Sequence, residues 1–168
     1  MSNIIQLNDF KSGEFRIPKT TWQELTLQSY LDKYERKYLI RLFGRELYDL
    51  FIANLVGGVP TSQRFIDVFN EFTDQNDCGF CDSEGMKLMI QGFIYFHYVR
   101  RTFTRNTTDG VKQTTAENSV NPDTIFAELS TRFNNAVESF ACIQKFMCEN
   151  SEIYPEYDGV IVEEVIPM

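Results

Sequence analysis

From Trp22 to Phe43 the apolar positions Leu27, Leu31, Tyr34, Tyr38 and Leu42 recur at three- and four-residue steps, which places them on one face of a predicted helix. Gly44 stands where a left-handed C-cap ends such a helix. A second helical stretch, RELYDLFIANLV, carries Leu47, Leu50, Phe51 and Leu55 at the same spacing and stops at Gly57 and Gly58. Two helices joined by so short a break turn sharply against each other. After Pro60 a short helix is predicted with Phe65, Val68, Phe69 and Phe72 inward, followed by a polar loop that holds a CGFC tetrad. Asp82 or Ser83 is placed to cap the next helix, GMKLMIQGFIYFHYVRRTF, the most apolar of the chain. Its buried side is expected to hold Met86, Met89, Ile90, Phe93, Ile94 and either His97 or Tyr98. Arg100, Arg101 and Arg105 gather at its end, where the helix dipole favours positive charge. A last helix is predicted to start at Asp123 or Thr124, striped by Ile125, Leu129, Phe133, either Ala136 or Val137, Phe140, Ile143 and Met147.

Three stretches fall outside this periodicity. Residues 1–21 show no stripe and read as an extended arm, yet Ile4, Ile5, Leu7, Phe10, Phe15 and Ile17 are too many for a solvated tail. Residues 106–122 contain almost no apolar side chains and read as a long exposed loop, turning at Asp109 and Gly110. A loop of that length in a small domain is commonly functional or an intermolecular contact. Residues 155–168 are rich in Val and Ile and read as a second arm, able to pair with another subunit's edge. The expected fold is therefore mainly α. It is a bundle of about four to five helices over residues 22–154, with the polar loop at 106–122 and arms at 1–21 and 155–168. In a lone monomer Ile4, Ile5, Val160, Ile161, Val162, Val165 and Ile166 are expected to stay partly exposed, so that the arms order only on assembly.

Composition narrows the functional classes. A chain of 168 residues that is 43% hydrophobic is one domain with a sizeable core, and no apolar run approaches the roughly 20 residues of a membrane span. The N-terminus lacks the pattern of a secretory signal. A net charge of -8 argues against tight, sequence-independent DNA binding, which draws its affinity from Lys and Arg. The same acidity suits a channel wall that must let a polyanion slide past.

Catalytic signals are sparse. No phosphate loop, nucleophile elbow or HExxH occurs, and the single histidine, His97, reads as a core or boundary residue. Glu163 and Glu164 are adjacent and diverge if extended. Cys78, Cys81, Cys142 and Cys148 read as free thiols, with a metal or disulfide joining the two pairs, and a redox motif, as alternatives. No catalytic residue, cofactor or metal ligand is expected.

The order of the phrases carries a resemblance. YLDKYERKYLIRLFGRELYDLFIANL is similar to the helix-glycine-helix signature of small tailed-phage head-to-tail connector proteins. GMKLMIQGFIYFHYVR followed by TRNTTDGVKQTTAENS, and then YPEYDG, resembles the later pattern of that family, particularly in crAss-like phages. The likeness covers residues 22–159, and the CGFC tetrad is not part of it. It implies a non-enzymatic virion protein of the neck, assembled in the bacterial cytoplasm. Identical subunits, dodecameric in related connectors, would form a ring docked on the portal protein and hand the DNA channel to tail or further adaptor proteins. DNA would pass without sequence-specific binding. Gly110, Val111, Lys112 and Gln113 carry the loop match. The expected subunit and portal contacts are Ile4, Ile5, Phe10 and Phe15 in the first arm, Arg105, Asn106 and Asp109 with that loop, and Tyr157, Val160, Val162 and Ile166 in the last. The competing readings are a monomeric helical adaptor that keeps its arms on its own core and a small thiol enzyme using Cys78 or Cys81.

Overall fold

Helix α1, Glu24–Ala53, is built on the predicted stripe, with Leu27, Leu31, Tyr38, Leu39 and Leu42 buried. In this computed structural model, which describes residues 4–19, 21–76, 79–107, 110–113 and 122–158, the expected break at Gly44 is present and divides α1 into two helical halves. The helix kinks there. Gly44 has φ 74° and ψ 175°, an extended left-handed conformation rather than the expected helical cap. That region is essentially closed to residues with a Cβ, so the glycine is what lets the second half turn. The turn lays Phe51 against Phe43 and both against Phe65 of α2, Gln63–Phe69.

Leu55, expected to continue the helix, instead enters a hairpin of β1, Leu55–Val56, and β2, Val59–Pro60. The Asn54 carboxamide oxygen accepts from the backbone N–H groups of Thr61 and Ser62 at 2.9 and 2.8 Å and so closes this hairpin.

The polar loop expected before the CGFC tetrad is also a hairpin, β3, Phe72–Asn76, with β4, Gly79–Ser83. Its residues are too polar to show an alternating core face, so the pairing is held by backbone bonds and by docking on α4. The Phe72 ring meets Phe146 there. The cap expected at Asp82 or Ser83 lies upstream of the helix start: Ser83 is buried and its Oγ accepts from the Gly85 N–H.

Helix α3, Met86–Phe103, is central as its composition predicts, and Met86, Met89, Ile90, Phe93, Ile94 and Tyr98 are buried. Tyr30 meets Tyr98, Tyr34 stacks on His97 and Tyr38 stacks on Phe93, so α1 and α3 run antiparallel. On the other side Phe93 and Phe96 meet Phe133 of α4, Pro122–Glu149. Gly92 makes that seam close: a Cβ there would lie 3.0 Å from the Ala136 Cβ. Leu129, Phe133, Ala136, Phe140, Ile143 and Met147 of α4 are buried, as the stripe predicts.

The N-terminal segment departs most from expectation. Ile4 and Ile5 are only 4% and 2% exposed, and Phe10, Phe15 and Ile17 are buried against the chain's own core. The segment is a strap across the bundle. Glu35 of α1, 1% exposed, accepts from the Ile4 and Ile5 N–H groups at 3.2 and 2.9 Å. A 3₁₀ turn, Leu7–Phe10, follows, and Lys87 of α3 pairs with Asp9 at 2.9 Å. The Phe15 ring then reaches Tyr95, and Arg132 of α4 donates to the Glu14 carbonyl. The expectation that Ile4 and Ile5 stay exposed until assembly is thus corrected. The buried carboxylate and the apolar face of α3 give the strap partners within one chain.

Candidate interaction surface

The residues singled out for contact fall into three groups. Ile4, Ile5, Phe10 and Phe15 belong to the strap and face inward, so their side chains are not available to a partner. Arg105, Asn106, Gly110, Val111, Lys112 and Gln113 lie on a third hairpin, β5, Thr104–Thr107, with β6, Gly110–Gln113. What reads as one long loop from 106 is therefore paired at its start. The register sets Thr104 opposite Gln113, Arg105 opposite Lys112, Asn106 opposite Val111 and Thr107 opposite Gly110. Asp109 and residues 114–121 lie outside the described residues. In the third group, Tyr157 is half-buried against the core, while Val160, Val162 and Ile166 lie outside the described residues.

Tyr154, just before the expected C-terminal arm, is wholly buried. Its hydroxyl donates to the Arg64 carbonyl, its ring meets Phe146, and Arg64 pairs with Glu156 at 3.1 Å. The described part of that arm therefore ties α4 to α2. Burial raises the phenol pKa values of both Tyr154 and Tyr157.

Some of the exposed apolar side chains lie on the hairpins, which sequence periodicity missed. Val56 and Val59, 70% and 54% exposed, stand opposite each other across β1 and β2, and Phe80 of β4 is 68% exposed. Each two-stranded sheet leaves open edges, and open edges are templates for pairing with another chain.

A second surface joins α1 to α3. Tyr34 stacks on His97 at 4.0 Å, and the Tyr38 hydroxyl lies 2.8 Å from His97 Nε2. Lys33 and Lys37 sit over the Tyr34 ring at 5.2 and 5.9 Å, and Arg101 donates to the Tyr30 hydroxyl at 3.2 Å. The tyrosines at four-residue spacing read in the sequence only as a core stripe, and the cations between them were not recognised as part of one face. His97 is a boundary histidine that stacks on Tyr34 and meets the Tyr38 hydroxyl.

The expectation of free thiols is corrected in part. Cys81 is bonded to Cys142 of α4, 61 residues away, so Cys81 is not paired with its neighbour in the tetrad. Cys148 is free and exposed, and Cys78 lies outside the described residues. The pairing joins the two cysteine groups because β4 packs on α4, a contact that spacing alone does not reveal.

Among the described residues no group of three or more His, Cys, Asp or Glu side chains converges to hold a metal ion, and no helix is long and apolar enough to cross a membrane. The class so defined is a helical bundle that carries, among the described residues, three two-stranded hairpins and a self-folded strap. No family model, curated protein or solved structure matches the chain.

Proposed function

We propose that this chain is a structural subunit of a tailed-phage head-to-tail connector, assembling as a ring between portal and tail. One observation carries the reading: the phrases that resemble the family fall in order on discrete elements. The first is α1 with its kink at Gly44, the second is α3, the third contains the β5–β6 hairpin, and YPEYDG begins at the buried Tyr154. The described residues of that hairpin connect the end of α3 to the start of α4 through a segment rich in the family's polar residues, a position suited to contacting a portal or a neighbouring subunit. The copy number, dodecameric, and the passage of DNA come from the resemblance.

The test is co-elution of the full chain with its cognate portal ring, measured by light scattering after size exclusion. The connector reading predicts a portal-bound species that is lost when Arg105 and Lys112 are both changed to Glu. A chain that stays monomeric and ignores the portal overturns it. Folding of the strap onto its own core is what the alternative reading, a monomeric helical adaptor, predicts for residues 4–17. That reading survives if the portal is ignored.

A further inference from the structure

The strap and the start of α1 border a cleft of about 330 Å³, a volume at the lower end of small-molecule sites. The strap contributes Leu7, Asn8 and Lys11, and the chain entering α1 contributes Trp22, Glu24 and Gln28. Trp22 is the single tryptophan of the chain and is half-buried.

Three polar groups in this cleft are left over by the fold. Lys11 Nζ donates to Asn8 Oδ1 at 2.7 Å and stands 6.0 Å from the centre of the Trp22 ring. That bond uses one of the three donors of the ammonium group. Among the described residues Lys11 has no carboxylate partner, Glu24 has no cationic one, and the Trp22 indole N–H has no acceptor. Glu24 lies in the first turn of α1, where the helix dipole favours an acid. The dipole accounts for the carboxylate on α1 but not for a tethered cation on the strap. Gln28, one turn after Glu24, donates its Nε2 to Asp32 Oδ1 at 2.9 Å, which leaves its amide oxygen as an acceptor.

The signs of these groups select the ligand. A simple anion attracted to Lys11 is repelled by Glu24, and a simple cation meets the reverse, so net charge of either sign gains on one wall what it loses on the other. A molecule with both charges gains on both walls. We propose that the cleft binds a small zwitterion of the α-amino-acid class. Its carboxylate meets Lys11 Nζ and the Trp22 indole N–H, its ammonium meets Glu24 and the Gln28 amide oxygen, and an apolar side chain lies against the Trp22 ring and Leu7. Lys11 belongs to the strap and Glu24 to α1, so the ligand bridges the two and stabilises the closed strap by mass action. This site stands apart from the connector reading.

The experiment titrates the full chain with L-leucine and follows the fluorescence of Trp22. Isocaproate and isoamylamine keep the carbon branch of leucine but carry only the carboxylate or only the ammonium, and glucose represents a neutral polyol. A saturable change with L-leucine, half complete below about 1 mM and at least about tenfold weaker with either half-ligand, supports the site. So does a loss of at least about tenfold in both Lys11→Gln and Glu24→Gln. Both side chains are exposed, and circular dichroism checks that the variants fold. Slower proteolysis of the strap with L-leucine, but not with isocaproate, is the second expected result. No saturable change with L-leucine, an equal response to a half-ligand, a tighter response to glucose, or an unchanged response in either variant overturns the proposal. Portal co-elution is measured without these ligands, so the connector reading stands or falls by its own test.

Discussion

Glu35 is a buried acid that anchors backbone rather than chemistry. Its carboxylate accepts from two consecutive N–H groups of the strap, and those donors lose their partner if it is removed. Leaving a buried donor unsatisfied costs about 1–3 kcal/mol, so Glu35→Ala is expected to lower stability in urea denaturation by about 2–4 kcal/mol and to open the first residues to proteolysis. Gly44→Ala is expected to cost about 1–3 kcal/mol, because alanine meets strain at φ 74° and ψ 175°. Titration adds two signed effects. The Glu84 pKa is raised, so the fold favours the protonated form, and its contribution is full below the ordinary value of 4.5 and lost as pH rises. Glu84→Gln is therefore expected to stabilise the monomer at neutral pH, with the gain vanishing as pH falls below 4.5 in a thermal melt series. Tyr154 and Tyr157 are shifted upward as neutral phenols, so their contribution holds below pH 10.0 and is lost above it, once the unfolded phenols ionise. Replacing both by Phe should flatten that alkaline loss.

At the scale of elements the Cys81–Cys142 bond fixes the β3–β4 hairpin to α4. A cross-link closing a 61-residue separation restricts the unfolded chain by about 4 kcal/mol in the loop-entropy account. Reduction with a dithiol, or Cys142→Ser, is expected to lower the denaturation midpoint by an amount of that order, while Cys148→Ser changes it little because that thiol is exposed and forms no disulfide. The hairpin should stay docked after reduction, since the Phe72–Phe146 contact and the Ser139–Glu84 bond are independent of sulfur. Amide exchange in β3 and β4 reads this directly. Full exchange on reduction would show that the disulfide alone holds the element. The first hairpin has no such tie, and its exposed Val56 and Val59 make it the element most open to pairing with another chain.

For the whole molecule the decisive feature is that a segment with the composition of an arm is closed on the bundle by one carboxylate, one lysine pair and five buried apolar side chains. Deleting residues 1–21 should therefore unfold or aggregate the chain rather than yield a clean assembly mutant. A truncation that stays folded and monomeric would show that the strap is dispensable. Under the connector proposal, contact with a portal or neighbour falls to the hairpins rather than to the strap. That redistribution makes the Arg105 and Lys112 double substitution the sharper probe of assembly.

Much of the helical framework was legible in the sequence. The stripes of α1, α3 and α4 follow from the 3.6-residue period, which any amphipathic helix must show to bury one face. The break at Gly44 follows from glycine's access to backbone angles closed to other residues. The polar character of the segment after α3 was also readable, and so was the boundary role of His97. Only the tertiary structure decided the rest. FTDQN and TRNT carry no alternation of apolar and polar residues, so their pairing into strands depends on neighbours distant in sequence. Glu35 looks like any surface acid until the strap crosses it, and Cys81 meets Cys142 only because β4 lies on α4. The fate of Ile4 and Ile5 was open for the same reason: apolar residues without a period demand a cover, and which surface provides it is settled by packing between segments far apart in the chain.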